Sequence, residues 1–339
     1  MSWRTIGNEK IIASINRALS EHRLPHAYLF VGPKHIGKMT MMMDLAAALN
    51  CTGPQRPCGS CSTCDRTTRM IHTDVHVISL QGLKLETGRG HTAITIEQIR
   101  DAQRDAALTP FEGQYRIIII DGADQLSEAA SNSLLKTLEE PPDRVVILLS
   151  TSKPEGLLQT VTSRCHIAEF KPVPKNIIAA YLEQNREIEK TRADHIAGLS
   201  NGLPGWAIRA VTDHEFLNLF EEILDNIGNT VQDEIEGRFA YAAKLGMKID
   251  KDRESGLKDV DLWLGWWRDV LFLKENLPEF ATTALHRESI KSFVNAFTLE
   301  EIASAIKTIH GTKILIERNV NPRLALEVMM LDLPKLSLK

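Results

Sequence analysis

The sequence lacks the long apolar runs found in membrane proteins and secreted precursors. No stretch approaches the roughly 20 apolar residues that a transmembrane helix needs. The first ten residues, MSWRTIGNEK, lack the apolar core of a signal peptide. These absences argue against an integral membrane protein and predict a cytoplasmic location.

The sequence also lacks a surplus of positive charge. It has 40 Lys and Arg against 44 Asp and Glu, which gives a formal net charge of −4. Because nucleic-acid binding is driven mainly by neutralising phosphates, this balance argues against strong DNA binding by the chain alone. Contact with DNA would be local or shared with other subunits. The length of 339 residues predicts two or three domains.

Cysteine is scarce, and four of the five cysteines lie close together. In a reducing compartment they are expected to be thiols or metal ligands and not disulfides. Cys51, Cys58, Cys61 and Cys64 have the spacing C-x6-C-x2-C-x2-C. Four thiolates fill a tetrahedral zinc site and leave no open position, so we predict structural zinc. Unliganded thiols or redox chemistry are the alternatives. Cys165 is separate and is predicted to be a packed thiol.

The first 170 residues alternate between predicted strands and helices. Apolar runs indicate buried strands at 27–32, 115–124 and 144–151, and an alternating pattern indicates a strand at 74–80. Helical patterns lie between them, and Thr95 with Gln98 begins one as a capping box. The alternation predicts an α/β domain with a mostly parallel sheet and helices on both faces. The Gly-rich, polar residues 81–94 are predicted to form a loop.

Strand signals almost vanish after the segment KPVPK (171–175), which resembles a hinge. We predict three domains: an α/β core at 1–170, a small helical domain at 171–212 and an all-helical domain at 213–339. In the last, Trp263, Trp266, Trp267, Val270 and Leu271 recur at helical spacing and predict a buried stripe.

The stretch GPKHIGKMT (32–40) matches the phosphate loop G-x-x-x-x-G-K. It follows a predicted strand and opens a predicted helix, as the motif requires. Gly32 and Gly37 allow the tight turn, backbone N–H groups would surround phosphates, and Lys38 adds a positive charge. The next position normally carries a Ser or Thr hydroxyl for magnesium, but here it is Met39. Thr40 is one residue out of register.

The predicted strand IIIIDGAD (117–124) shows a second departure. Such strands in ATPases usually end in Asp-Glu, where the Asp helps hold magnesium and the Glu activates water. Asp121 is present, but Gly122 stands at the Glu position, and Asp124 is not a simple substitute. Two separate losses predict a weak or absent ATPase, with weak binding of ATP or ADP at most.

Several stretches together resemble bacterial clamp-loader subunits of DNA polymerase III. They are RLPHAYLFVGPKHIGK, the four cysteines, SNSLLKTLEEPP (131–142), TSRC (162–165) and NPRLALEVMMLDL near the C-terminus. These subunits are AAA+ proteins that open a sliding clamp and place it on primed DNA. The resemblance spans essentially the whole chain. It implies an AAA+ P-loop core with a zinc knuckle, then a helical lid and a helical collar that joins subunits.

Two types of clamp-loader subunit resemble the chain at this level. The gamma/tau type is the ATPase motor, and the delta-prime type is a stator with a degraded nucleotide site. Met39 and Gly122 depart from the motor pattern in the delta-prime direction. So does Gly205 in GLPG (202–205), which stands where the motor has a sensor arginine in G-x-x-R. The resemblance therefore implies a delta-prime stator without its own ATPase, within the polymerase holoenzyme.

From the sequence alone, Arg164 in TSRC is an ordinary solvated or salt-bridged surface residue. The resemblance implies a different role, an arginine finger that reaches the ATP bound by a neighbouring subunit. The implied partners are gamma/tau, delta, the sliding clamp and, through the complex, primed DNA. Three alternatives remain: an active gamma/tau-type ATPase, an unrelated P-loop enzyme, and a scaffold in which Arg164 has no catalytic part.

Overall fold

A five-stranded parallel sheet forms the centre of the N-terminal part of the chain. The computed structural model describes residues 3–80, 93–281 and 288–336. The strands are β1 (Ala27–Val31), β2 (Val75–Ser79), β3 (Arg116–Asp121), β4 (Val145–Thr151) and β5 (His166–Glu169). Their order across the sheet is β2-β3-β4-β1-β5. The predicted parallel α/β fold is therefore confirmed.

Helices connect these strands. They are α1 (Glu9–Ser20), α2 (Lys38–Asn50), α3 (Ser62–Thr68), α4 (Ile96–Ala106), α5 (Glu128–Glu139) and the one-turn α6 (Gln159–Thr162). The predicted capping box of Thr95 and Gln98 opens α4. The Ser127 hydroxyl accepts a hydrogen bond from the Ala130 N–H and caps α5. These local signals fix where the helices begin because they satisfy backbone donors that the first turn leaves unpaired.

The middle strands are buried on both faces. Every residue of β4 is buried, as are four consecutive isoleucines of β3 (117–120). Such strands read as continuous apolar runs, which is why the sequence predicted them. Strand β5 was missed. Only Ala168 of its four residues is buried, because β5 lies at the edge of the sheet beside β1.

Buried polar side chains hold the loop before β3. The Asp74 carboxylate, which is fully buried, accepts hydrogen bonds from the N–H groups of Phe111, Glu112 and Gly113 at 2.7–2.9 Å. Burial alone would raise the pKa of Asp74, but these N–H donors and Arg116 outweigh it, so the pKa is lowered. The carboxylate therefore stabilises the loop in its charged form.

The rest of the chain is helical among the described residues. The helices are α7 (Lys175–Arg186), α8 (Lys190–Leu199), α9 (Pro204–Thr212), α10 (His214–Gln232), α11 (Ile235–Lys251), α12 (Arg253–Lys274), α13 (Glu288–Ala296), α14 (Leu299–Glu317) and α15 (Pro322–Asp332). The predicted tryptophan stripe lies on α12. Trp263, Trp266, Trp267 and Val270 are buried, and Leu271 is half-buried.

The chain divides into two compact units. The first contains 1–178 and 202–206, and the second contains 179–201 and 207–339. The boundaries at 170 and 212 stay a prediction. Most of the predicted loop 81–94 lies outside the described residues. In the part of the chain that the structure describes, no helix is both long and apolar enough to cross a membrane.

Candidate nucleotide, arginine and metal sites

The phosphate loop lies where the sequence placed it, between β1 and α2. Gly37 caps α2 with a φ of 106°, a left-handed conformation that favours glycine. The Lys38 ammonium group donates hydrogen bonds to two carbonyls of its own loop, Gly32 O at 2.6 Å and Pro33 O at 2.8 Å. Lys38 is buried, and burial lowers its pKa, while nearby Asp121 and Asp124 act in the opposite direction. Carbonyl groups of the loop itself thus accept two hydrogen bonds from the Lys38 ammonium group.

Both acidic residues at the end of β3 already have hydroxyl partners on β4. Ser150 Oγ donates to Asp121 Oδ1 at 2.5 Å, and Thr151 Oγ1 donates to Asp124 Oδ1 at 2.7 Å. The structure therefore brings Lys38 and the two predicted acids into one region. Met39 and Thr40 are half-buried in the first turn of α2, and Met39 offers no oxygen to a metal.

Gly122, at the position where the sequence comparison expected a glutamate, has a backbone conformation that favours glycine. Its φ is 87°, and a Cβ atom built there would lie 2.9 Å from Gln125 Oε1. A side chain at this position would therefore strain the backbone, whereas the flexible Gln125 side chain could move aside.

The structure also explains why a glycine occupies position 205. Its N–H donates to the His35 carbonyl of the phosphate loop at 2.8 Å. A Cβ atom at position 205 would lie 2.9 Å from that same carbonyl oxygen. The GLPG segment thus contacts the phosphate loop through its backbone, and this contact leaves no room for a side chain at position 205.

Arg164 lies in the short connection between α6 and β5. Its guanidinium pairs with the Glu139 carboxylate at the end of α5, with Nη2 2.6 Å from Oε1. Nη1 donates to Thr160 O at 2.9 Å. The salt-bridged environment expected from the sequence alone is present, and about a third of the side chain (35%) is still exposed. Glu139 lies in the stretch SNSLLKTLEEPP, but no local pattern predicts its pairing with Arg164, because the contact joins residues far apart in the chain.

The four predicted metal ligands do converge. The Sγ atoms of Cys51, Cys58, Cys61 and Cys64 all lie within 4.8 Å of one another. Two pairs, Cys51–Cys61 and Cys58–Cys64, are 3.9 Å apart. A tetrahedron with zinc–sulfur bonds of about 2.3 Å has edges of about 3.8 Å, so the cluster fits a metal of this size. Four sulfur donors can hold a metal ion between the end of α2 and α3.

Backbone donors favour the thiolate form of Cys58. The N–H groups of Ser60 and Cys61 lower the pKa of Cys58 to about 6. Burial has the opposite effect on Cys64 and raises the pKa of that thiol to about 12. A bound cation would favour the thiolate at both positions, as metal ligation requires. Cys165 is half-buried against the sheet core, as predicted, and burial raises its pKa to about 12.

Comparison with known proteins shows what the chain is similar to. Residues 7–174 match the family model described as DNA polymerase III, delta subunit. The delta-prime subunit of DNA polymerase III from Bacillus subtilis is 27% identical over 98% of both chains. The chain is therefore similar to a DNA polymerase III delta-prime subunit along almost its whole length. The clamp-loader resemblance and the AAA+ fold class that the motifs indicated are thereby confirmed.

The family also includes gamma/tau relatives, which match a smaller share of the chain. The gamma/tau subunit of Mycobacterium tuberculosis is 32% identical over 191 residues, which are 56% of this chain and 32% of that relative. Among solved structures, a gamma subunit-related protein from Thermotoga maritima is 16% identical, covers 95% of this chain and 97% of its own, and has a TM-score of 0.44.

Proposed function

We propose that the protein is a delta-prime-type stator of the DNA polymerase III clamp loader. The observation that carries this proposal is the match to a delta-prime subunit over 98% of both chains. Met39, Gly122 and Gly205 support it, because each removes a side chain on which an ATPase motor depends. In this role the subunit turns over no ATP of its own and binds ATP or ADP weakly at most, through Gly32, Gly37, Lys38, Thr40 and Asp121.

Arg164 would then act on ATP held by a neighbouring gamma/tau subunit. Its guanidinium is always charged and is partly exposed, so it can face an anion supplied by another chain. A fixed positive charge near the γ-phosphate stabilises the charge that develops during phosphoryl transfer. The role needs no nucleotide in this chain, which agrees with the altered residues at its own loop.

The test is Arg164→Ala in a loader reconstituted with gamma/tau and delta subunits. We expect ATPase and clamp loading to fall at least about tenfold with assembly intact, because the charge at one ATP site is lost. The exposed Arg17 on α1 supplies the control variant Arg17→Ala. Unchanged ATPase in Arg164→Ala would refute the arginine-finger role. Strong ATP turnover by this chain alone would favour the gamma/tau-type motor instead.

Zinc is the metal we propose for the four cysteines. Thiolate-only, four-coordinate sites suit zinc, and the closed set of ligands leaves no position for substrate. Its role would be structural, and it would join residues 51–64 to the end of α2.

The domain division follows from the same proposal: an AAA+ core at 1–170, a lid at 171–212 and a collar at 213–339.

An apolar stripe lies on α15. Leu324, Val328 and Leu331 recur at i, i+4 and i+7 and are each about half exposed (49–58%). This apolar stripe is suited to pack against the collar of another subunit. The proposed partners are gamma/tau, delta and the sliding clamp in the cytoplasm, with primed DNA engaged through the complex.

A further inference from the structure

The two most distinctive motifs of the sequence, TLEEPP and TSRC, meet in the structure at one ion pair. Glu139 is the last residue of α5, and Arg164 follows α6. The guanidinium Nη2 lies 2.6 Å from Glu139 Oε1, a short, charge-assisted hydrogen bond. The neighbouring Glu140 is exposed, and the described residues give it no side-chain hydrogen bond or ion pair.

The guanidinium is held from two directions. Besides the bond to Glu139, Nη1 donates to the carbonyl of Thr160 at 2.9 Å and reaches Ser163 Oγ at 3.4 Å. Both terminal nitrogens therefore have fixed partners on the same chain, while the side chain remains 35% exposed. An arginine on a flexible stem is thus confined to one orientation at the surface.

Such a pair adds little to the stability of the fold. Both side chains are partly exposed, Glu139 by 50%, and exposed ion pairs are weak because water and salt screen them. Its main effect is to limit the positions that the guanidinium can take. Orientation matters most for a group that must meet a charge developing on another molecule, since small misplacements reduce rates steeply.

We propose that Glu139 is a positioning residue, which orients Arg164 toward a nucleotide on the neighbouring subunit. The inference rests on the proposed function of Arg164 as an arginine finger. Glu139 itself touches no nucleotide and acts only through the guanidinium. Its removal would leave the charge of Arg164 in place but spread over several side-chain conformations.

The experiment is a double-mutant cycle on ATPase of the reconstituted loader, with Glu139→Ala, Arg164→Ala and both together. We expect Glu139→Ala to lower kcat roughly tenfold with little change in KM for ATP, because orientation and not ATP binding is lost. In the Arg164→Ala background it should have no further effect. Glu139→Gln, which keeps an oxygen acceptor, should restore part of the rate, and the control Glu140→Ala should leave it unchanged.

The outcomes separate the two ideas. A normal rate for Glu139→Ala beside an impaired Arg164→Ala would overturn the positioning role and keep the arginine finger. Normal rates for both would overturn the finger as well. Effects that simply multiply, or a faster rate in Glu139→Ala, would show that Glu139 does not act by orienting Arg164.

Discussion

At Gly205 the main chain lies so close to the His35 carbonyl that only glycine fits without a clash. The hydrogen bond between the two backbones joins the first turn of α9 to the phosphate loop. The clamp-loader resemblance implied only that Gly205 stands where a motor subunit has an arginine. The structure adds that the backbone contact fills the space at the Cβ position.

We expect Gly205→Ala to lower the free energy of unfolding by about 1–3 kcal/mol, because the new methyl group overlaps the His35 carbonyl. Gly156→Ala is the matched control, since the nearest atom to its Cβ would be Asp124 Cβ at 3.6 Å, an ordinary contact. Urea denaturation of both variants measures the difference. Equal stability of the two variants would show that the chain relaxes freely at Gly205.

Asp74→Asn should destabilise the protein by about 2–3 kcal/mol at pH 7, because a buried carboxylate that accepts three N–H bonds loses its charge. The native pKa of Asp74 is lowered. Its contribution is therefore complete above the unfolded-state pKa of about 4 and disappears as the pH falls through the lower native value. Urea denaturation from pH 7 to below pH 4 should show the gap between wild type and variant narrowing. The exposed Asp143 supplies the control Asp143→Asn, and a gap that stays constant with pH would contradict the assignment.

Among the elements, the cysteine cluster and the edge strand β5 mark what a sequence can and cannot predict. The four cysteines are close in the chain, so their spacing was enough to predict that they meet. Strands β3 and β4 were equally clear, because burial on both faces leaves a continuous apolar run. Strand β5 gave no such run, since three of its four residues are exposed.

The pairing of Glu139 with Arg164 could not be predicted from the sequence, for a different reason. The two residues are separated by β4, so no local pattern records their contact. The same holds for Gly205 and His35. Predictions succeeded where the signal is local, in caps, spacing and periodicity, and failed where distant segments meet.

Zinc binding is the prediction for the element formed by residues 51–64. The purified wild-type chain should contain about one zinc ion, and Cys58→Ser should lose it, because three sulfur ligands no longer close the tetrahedron. Elemental analysis by mass spectrometry gives the metal content, and limited proteolysis reports the order of this segment. Cys165→Ser, a change at a cysteine outside the cluster, should keep the zinc. Metal retained in Cys58→Ser would rule out the four-thiolate site.

At the scale of the whole molecule, assembly is the property to test. We expect the triple variant Leu324→Ser, Val328→Ser and Leu331→Ser to weaken association with gamma/tau at least about 100-fold, because three apolar side chains lose their burial. Folding should be preserved, since these side chains are already largely exposed in the single chain. Native mass spectrometry and analytical ultracentrifugation measure the complexes. Leu219→Ser, at an exposed leucine on α10, is the control. Full assembly by the triple variant would move the interface elsewhere.

The phosphate loop forms hydrogen bonds with its own lysine, and this bears on how the subunit responds to the cell's supply of ATP. In a motor, the lysine waits for a phosphate, and the shape of the subunit follows the ratio of ATP to ADP. Here the Lys38 ammonium already has carbonyl partners within the loop. If the loop keeps these bonds when nucleotide is present, as the proposed stator role requires, the subunit would keep one conformation in starved and in growing cells alike. It would give its neighbours a constant geometric reference while their own nucleotides turn over.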